Sequence, residues 1–145
     1  MVVTFCGHKE ITGSDELHDR LLSVLRELIS EGADSFLLGG YGAFDGLAAS
    51  AVREMQAEFP HIRSTLVLPY IDRSFNTELY NGSVYPPLEN VPRRFAISRR
   101  NEWMVDQADV IIAFVNHGWG GAAATLRYAE RKKKRIVWLA KAKTV

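Results

Sequence analysis

The stretch DVIIAFVNHGWGGAAATLRYA, residues 109–129, decides the fold because it combines a strand, a glycine turn and a helix. Residues 110–115 form an almost unbroken apolar run, which is typical of a strand buried on both faces of a parallel sheet. A small-residue helix pattern follows the glycines, with Ala122, Leu126 and Ala129 at three- and four-residue steps. This order brings free backbone N–H groups to the positive end of a helix, which suits phosphate binding. The alternative is a tight turn that only packs the helix closely on the sheet.

The rest of the chain repeats the alternation of strand and helix. Apolar runs at 2–6, 35–38, 62–68 and 136–139 predict further strands, and segments with helical periodicity separate them. We therefore expect one domain over residues 1–145 with an α/β, Rossmann-like, doubly wound fold. Its mostly parallel sheet should have about five strands and helices on both faces. A strand order of 3-2-1-4-5 would bring the loops after residues 6, 38 and 115 together at one edge.

Composition excludes several classes of function. The chain has 145 residues and a formal net charge of +1, so nothing drives it globally toward DNA or anionic membrane. Its single cysteine cannot form an internal disulfide, and no apolar run approaches the length of a membrane span. Because no signal peptide is recognisable at the start, we expect a cytoplasmic protein.

The segment 70–90 has no clear periodicity and carries four aromatic residues, Tyr70, Phe75, Tyr80 and Tyr85. Long connections of this kind often form lids over ligands. The alternative is an irregular surface excursion with a short element of its own, such as a strand at 84–85.

Three motifs resemble the SLOG superfamily of Rossmann-like domains. They are FCGH at 5–8, GGxGxFD at 39–45 and NVPRRFAISRRNxxM at 90–104, followed by the glycine turn. The superfamily includes the LONELY GUY phosphoribohydrolases and the DNA-processing protein A group, and this chain looks closest to a small bacterial or phage-borne branch. The resemblance implies binding of nucleotides or nucleotide-sugar derivatives such as relatives of ADP-ribose. It also implies pairing of chains through their helices into homo-oligomers.

The resemblance extends to only part of the LONELY GUY catalytic pattern. In those enzymes an arginine four residues before a methionine binds phosphate and assists cleavage, and Arg100 stands four residues before Met104 here. Their catalytic glutamate in the following helix has no counterpart, because residues 122–124 are alanines and the first acid is Glu130. If the chain is an enzyme, the candidate catalytic residues are Arg100 with Glu102 or Glu89 in place of that glutamate.

The candidate ligand contacts lie in the motifs and the glycine turns. Spacing puts Arg93, Arg100 and Asn101 on one helical face, either as an anion clamp or as solvated residues of an amphipathic helix. Asp45 could bind ribose hydroxyls or cap its own helix, and Trp119 could stack on a base or anchor the turn. The full predicted set is Gly7, His8, Gly39, Gly40, Gly42, Phe44, Asp45, Arg93, Arg100, Asn101, Asn116, Gly118, Trp119, Gly120, Gly121 and Thr125.

The sequence favours a binding module for a phosphorylated nucleoside or an ADP-ribose-like derivative, with phosphates on the amides of Gly40, Gly42, Gly120 and Gly121. Loss of Arg100 should then abolish binding with little change in stability. The alternative hypothesis is a nucleotide N-glycosidase, and a third is single-stranded DNA binding, against which the near-neutral charge argues. We expect no cofactor and no metal, since His8 and His117 lack a carboxylate or thiolate at ligand spacing.

Overall fold

Strands and helices alternate in the computed structural model, which describes residues 1–140. The strands are β1 (Val2–Gly7), β2 (Ser35–Leu38), β3 (Arg63–Val67), β4 (Gly82–Val84), β5 (Val110–Phe114) and β6 (Arg135–Ala140). The helices are α1 (Ser14–Ser30), α2 (Ala43–Glu58), α3 (Ala96–Gln107) and α4 (Gly121–Arg131).

All six strands are parallel, in the order β4-β3-β2-β1-β5-β6. The five strands expected from the sequence take the order 3-2-1-4-5, as predicted. The sheet has six strands rather than about five, because Gly82–Val84 pairs with β3 at the edge. The short strand considered at 84–85 thus begins two residues earlier, at Gly82, and ends at Val84. As a result, the loops after β1, β2 and β5 meet at one edge of the sheet.

Both faces of the sheet are covered, which explains the apolar runs. Helices α1 and α2 pack together on one face, and α3 and α4 pack together on the other. Along β5, Val110 and Ile112 belong to the first core, whereas Ile111 and Ala113 belong to the second. Alternate side chains therefore enter opposite cores, as the period of a strand requires.

Helix α3 begins later than the sequence indicates. The spacing predicts a helix from about residue 90, but Arg93–Phe95 form a single 3₁₀ turn, and the α-helix starts at Ala96. Pro92 precedes that turn in an extended conformation, with φ −53° and ψ 137°, so the helix cannot extend backwards through it. Among residues 1–140, no helix has both the length and the apolar character needed to cross a membrane.

Candidate functional site

A cavity of about 650 Å³ opens where the loops after β1 and β5 meet the buried face of α3. It lies at the carboxyl ends of adjacent strands, where ligands of open α/β sheets commonly bind. Ten residues of the predicted set line it: Gly7, His8, Asp45, Arg100, Asn101, Asn116, Trp119, Gly120, Gly121 and Thr125.

Besides Arg93, five members of the set lie outside the cavity, and four of these five are constrained by packing within the protein. A Cβ on Gly40 would lie 2.6 Å from Leu66, and one on Gly42 would lie 2.6 Å from the Lys9 backbone. Phe44 is fully buried in the core. The carbonyl of Gly118 accepts a hydrogen bond from Arg127. The residues of this group are Gly39, Gly40, Gly42, Phe44 and Gly118, and neighbouring atoms leave little room for a Cβ at the first three, whereas a Cβ on Gly118 would meet nothing within 4 Å.

Arg93 does not join Arg100, contrary to the predicted clamp. It lies in the 3₁₀ turn, where the angular step per residue differs from that of an α-helix, so the seven-residue spacing no longer defines one face. Its guanidinium pairs with Asp72 at 3.0 Å and lies 4.4 Å from the ring centre of Tyr70. Arg93 lines a separate cavity of about 330 Å³.

The helices α2 and α4 begin with the same backbone geometry but differ in what satisfies their first amides. Gly42 and Gly120 have φ 92° in both cases, with ψ 173° and 177°, which favours glycine at each position. At α2, the amides of Ala43 and Phe44 donate to the carbonyls of Lys9 and His8. Because those two N–H groups are already bonded, few free amides remain to bind a phosphate at that turn. This differs from the expectation that the amides of Gly40 and Gly42 hold phosphates.

The first amides of α4 are free. Within residues 1–140, no acceptor bonds the N–H groups of Gly121, Ala122 or Ala123, and the first helical bond is from Ala124 to the Gly120 carbonyl. The first turn carries no acidic side chain, and no side chain caps it. Gly121 and Ala122 line the cavity, so the positive end of α4 is available to an anion there.

Arg100 is held rigidly at the floor of the cavity. Its side chain is 2% exposed, and Nη1 donates to the carbonyls of Gly39 and Val67 at 2.9 and 2.8 Å. Nε donates to Asn101 at 2.9 Å, whereas Nη2 makes no hydrogen bond within the described residues. The side chain therefore joins the ends of β2 and β3 and leaves one nitrogen toward the cavity side.

Asp45 is the carboxylate nearest to this guanidinium. A Cβ on Gly39 would lie 3.1 Å from both Asp45 Oδ2 and Arg100 Cζ, so glycine leaves room for the two charged groups to face each other. Asp45 Oδ2 accepts a hydrogen bond from the Tyr41 amide at 3.2 Å, and Oδ1 has no partner in the described part of the chain. Burial raises the pKa of Asp45 to about 6, although the Tyr41 amide and Arg100 oppose that change. This carboxyl can therefore exchange a proton near neutral pH.

His8 occupies the boundary between the cavity and the core. Its Nε2 accepts a hydrogen bond from the Asn116 amide at 2.9 Å, which places the proton of the neutral ring on Nδ1. Burial, and secondly the neighbouring His117, lower the pKa of His8. The ring is thus neutral at pH 7. Within residues 1–140, no group of three or more His, Cys, Asp or Glu side chains is spaced for a metal ion.

The two glutamates proposed as substitute catalytic acids lie away from the main cavity. Glu102 lies 3.9 Å from Arg99 on the outer side of α3, and Glu89 lines the smaller cavity beside Arg93. The segment 70–90 also lines only that smaller cavity, so it does not form a lid over the main one. The acids that do line the main cavity are Asp45 and Glu10.

Sequence reasoning missed several lining residues. Ile97 and Met104 share the face of α3 that carries Arg100, so their spacing of three and four residues could have identified them. Lys9, Glu10 and Tyr41 carry no such signal, because they lie in loops whose path depends on the packing of the strands. The loops contribute both charge and an exposed aromatic ring to the cavity.

Comparison with solved structures places this architecture among known proteins. The structure of TM1055 has a TM-score of 0.63 and 21% identity, covering 93% of this chain and 71% of that one. DNA processing protein A from Helicobacter pylori, described for its single-stranded DNA binding mode, has a TM-score of 0.66 and 18% identity over 95% of this chain. The chain shares the Rossmann-like α/β fold of these proteins. It spans 64% of DNA processing protein A.

A third solved structure and one sequence relative are also similar to this chain. The molybdenum cofactor carrier protein from Chlamydomonas reinhardtii has a TM-score of 0.62 and 17% identity, covering 97% of this chain and 77% of that protein. YoqJ, an uncharacterized SPbeta prophage-derived protein of Bacillus subtilis (strain 168), is 27% identical over 141 residues. That match covers 80% of this chain and 81% of YoqJ. No protein-family model matches the sequence.

Proposed function

We propose that the SLOG-type domain binds a phosphorylated nucleoside or an ADP-ribose-like derivative in the main cavity and so senses or sequesters it. The observation that carries the proposal is the start of α4, where the amides of Gly121 and Ala122 border the cavity and have no hydrogen-bond acceptor within residues 1–140. Backbone amides at a positive helix end form a ready site for phosphate. The volume of about 650 Å³ suits a ligand of nucleotide size.

The remaining lining residues support a nucleoside attached to that phosphate. Asp45 presents a free carboxylate oxygen, which can accept hydrogen bonds from ribose hydroxyls. Arg100 Nη2 supplies a positive charge on the same side of the cavity. Of the structural neighbours, DNA processing protein A binds single-stranded DNA and the Chlamydomonas reinhardtii protein is a molybdenum cofactor carrier, so ligand binding is in keeping with this fold.

The substitution Gly121→Ala tests the phosphate site. A Cβ at Gly121 would meet no protein atom within 4 Å, so the fold should accept it, but the methyl group would occupy the space that a phosphate needs. We expect affinity for the ligand to fall at least tenfold. The measurement is native mass spectrometry with AMP, NAD, ADP-ribose, cyclic ADP-ribose and a short single-stranded oligonucleotide.

A matched control is Gly46→Ala, since Gly46 lies within α2 and also has open space around it. Its binding should equal that of the unmodified protein. The proposal is wrong if none of the nucleotides gives an adduct, or if Gly121→Ala binds as tightly as Gly46→Ala. Binding of the oligonucleotide alone, with a steep loss on adding salt, would instead favour the DNA hypothesis.

A second candidate function, nucleotide N-glycosidase, is favoured by Asp45. Cleavage adds water to C1′ of the ribose and returns a proton to the departing base, so a carboxyl whose pKa lies near 6 suits the proton transfers. Asp45 lines the cavity, whereas Glu102 and Glu89 do not. Release of free base and a ribose phosphate from the nucleotides in the panel would identify this activity.

The substitution Asp45→Asn separates function from stability. Folding raises the pKa of Asp45 from 3.8 to about 6, so the wild-type free energy of unfolding falls as pH rises from about 4 to 6. Asparagine removes this cost and still accepts the Tyr41 amide, so the variant should be more stable at pH 8 by about 1–3 kcal/mol. Urea unfolding at pH 8 and pH 4 measures the effect, which should vanish at pH 4.

The same variant should lose any glycosidase activity despite its greater stability. Retained base release in Asp45→Asn would exclude Asp45 as the catalytic acid or base. Equal stability of the two proteins at pH 8 would show that the carboxylate is not penalised by burial.

A further inference from the structure

Three aromatic rings form a continuous stack that runs from the core to the surface beside the cavity. The ring centres of His8 and His117 are 3.7 Å apart with an angle of 13° between their planes. Those of His117 and Trp119 are 3.8 Å apart with an angle of 18°. His8 is 8% exposed at the inner end, whereas Trp119 is 71% exposed at the outer end.

The outer face of Trp119 has no partner in the described part of the chain. His117 covers one face of the indole, and within residues 1–140 no second aromatic ring and no cation lies over the other. A tryptophan normally buries most of its surface, so an indole that is held on one side and open on the other is unusual. Trp119 lines the main cavity, which places its ring beside the space for a ligand.

The indole also lies next to the proposed phosphate site. Trp119 precedes Gly121 by two residues, so their Cα atoms are at most roughly 7.6 Å apart. A mononucleotide can span such a distance between its phosphate and its base. The stack and the free amides of α4 are therefore positioned to contact two parts of one ligand.

We propose that Trp119 is the stacking platform for the base of the nucleotide, which would add a fourth ring to the column of His8, His117 and Trp119. This inference rests on the proposed function and adds the class of ligand that the site prefers, which is a phosphate ester that carries a planar base. A π-face recognises any planar heteroaromatic ring, so the site should prefer nucleotides to sugar phosphates while discriminating little among bases of the same ring size. Purines should bind more tightly than pyrimidines because they stack over a larger area.

The test compares AMP, UMP and ribose 5-phosphate with the wild-type protein, Trp119→Ala and Trp119→Phe by isothermal titration calorimetry. Ribose 5-phosphate carries the phosphate and sugar without the base. In Trp119→Ala the affinity for AMP should fall about ten- to a hundred-fold, while the affinity for ribose 5-phosphate should not change. Trp119→Phe keeps an aromatic face and should retain most of the AMP affinity.

Tyr41→Ala tests the rival platform, because Tyr41 is also an exposed aromatic residue that lines the cavity, at 60% exposure. The matched control is Phe95→Ala, since Phe95 is 46% exposed and lies outside the cavity, and it should leave the ratio of AMP to ribose 5-phosphate affinity unchanged. If Tyr41→Ala rather than Trp119→Ala removes that ratio, the base stacks elsewhere and the inference is wrong. A Trp119→Ala variant that keeps the ratio overturns it too.

The outcomes also separate this inference from the proposed function. If wild-type protein binds AMP and Gly121→Ala does not, the proposed function stands whatever Trp119 does. If wild-type protein binds no mononucleotide, both proposals fail. If Trp119→Ala weakens only an oligonucleotide, the platform serves single-stranded nucleic acid instead.

Discussion

The variant Arg100→Ala is expected to lower the free energy of unfolding by about 3–5 kcal/mol. Arg100 is the largest of the fully buried side chains in residues 1–140. Its loss leaves a void. The carbonyls of Gly39 and Val67, at the ends of β2 and β3, also lose their hydrogen-bond donor, Arg100 Nη1. Each buried acceptor without a partner costs about 1–3 kcal/mol. Asp45 would also lose its nearest positive charge.

The matched control is Arg99→Ala, because Arg99 is the preceding residue of the same helix. Its side chain is 61% exposed, and its ion-pair partner among residues 1–140 is Glu102, at 3.9 Å. We expect a change of less than about 0.5 kcal/mol, as is usual for exposed pairs. Urea unfolding of the two variants provides the comparison, and similar stabilities would show that Arg100 has no structural role.

This expectation differs from the one that the sequence suggested, in which loss of Arg100 abolishes binding and spares stability. Burial and two carbonyl bonds make the residue part of the fold as well as of the cavity. Binding assays on Arg100→Ala would therefore mix two effects. Arg100→Lys keeps the charge but cannot reproduce the planar fork, and it should give an intermediate stability.

The second large effect is expected for Gly7→Ala, at about 3 kcal/mol or more of lost stability. A Cβ on Gly7 would lie 2.1 Å from Cδ2 of Phe44, whose side chain is fully buried. The Phe44 ring also packs against Phe114, with centres 5.8 Å apart, so it has little room to move. The glycine of the first motif is thus required by packing, whatever it does for a ligand.

Gly46→Ala serves as the control here as well, with an effect of opposite sign. Alanine in place of a helical glycine with open space around it should stabilise α2 by about 0.5–1 kcal/mol. A second substitution, Phe44→Leu, should recover part of the stability lost in Gly7→Ala, because it removes the ring that collides. Additive effects of the two substitutions would contradict the steric explanation.

Much of the architecture could be predicted because it depends on local periodicity. The run 110–115 and its counterparts predict strands buried on both faces, and their alternation with helices predicts a doubly wound sheet. The strand order then brings the loops after β1 and β5 together, which is why ten of the predicted residues do line one cavity. Short elements without periodicity, such as β4, could be located only approximately: the sequence suggested a strand at 84–85, and the strand is Gly82–Val84.

Other features depended on contacts between distant parts of the chain. The motif GGxGxFD looks like a second phosphate loop, but its helix has its first amides bonded to the carbonyls of His8 and Lys9 in the loop after β1. The spacing of Arg93 and Arg100 predicts that they share one helical face. Because Arg93 lies in a 3₁₀ turn, the two side chains instead line different cavities. No local pattern distinguishes these turns from the glycine turn at α4.

The sequence by itself determined the order of strands and helices, the sheet topology and the edge at which the cavity forms, because hydrophobic periodicity encodes which faces are buried. Only the tertiary structure decided which helix start keeps its amides free, which arginine is buried, and which carboxyl acquires a pKa near 6. These properties arise from the local dielectric and from hydrogen-bond partners that are remote in sequence. They exist only once β1, β2 and β5 have brought those partners together.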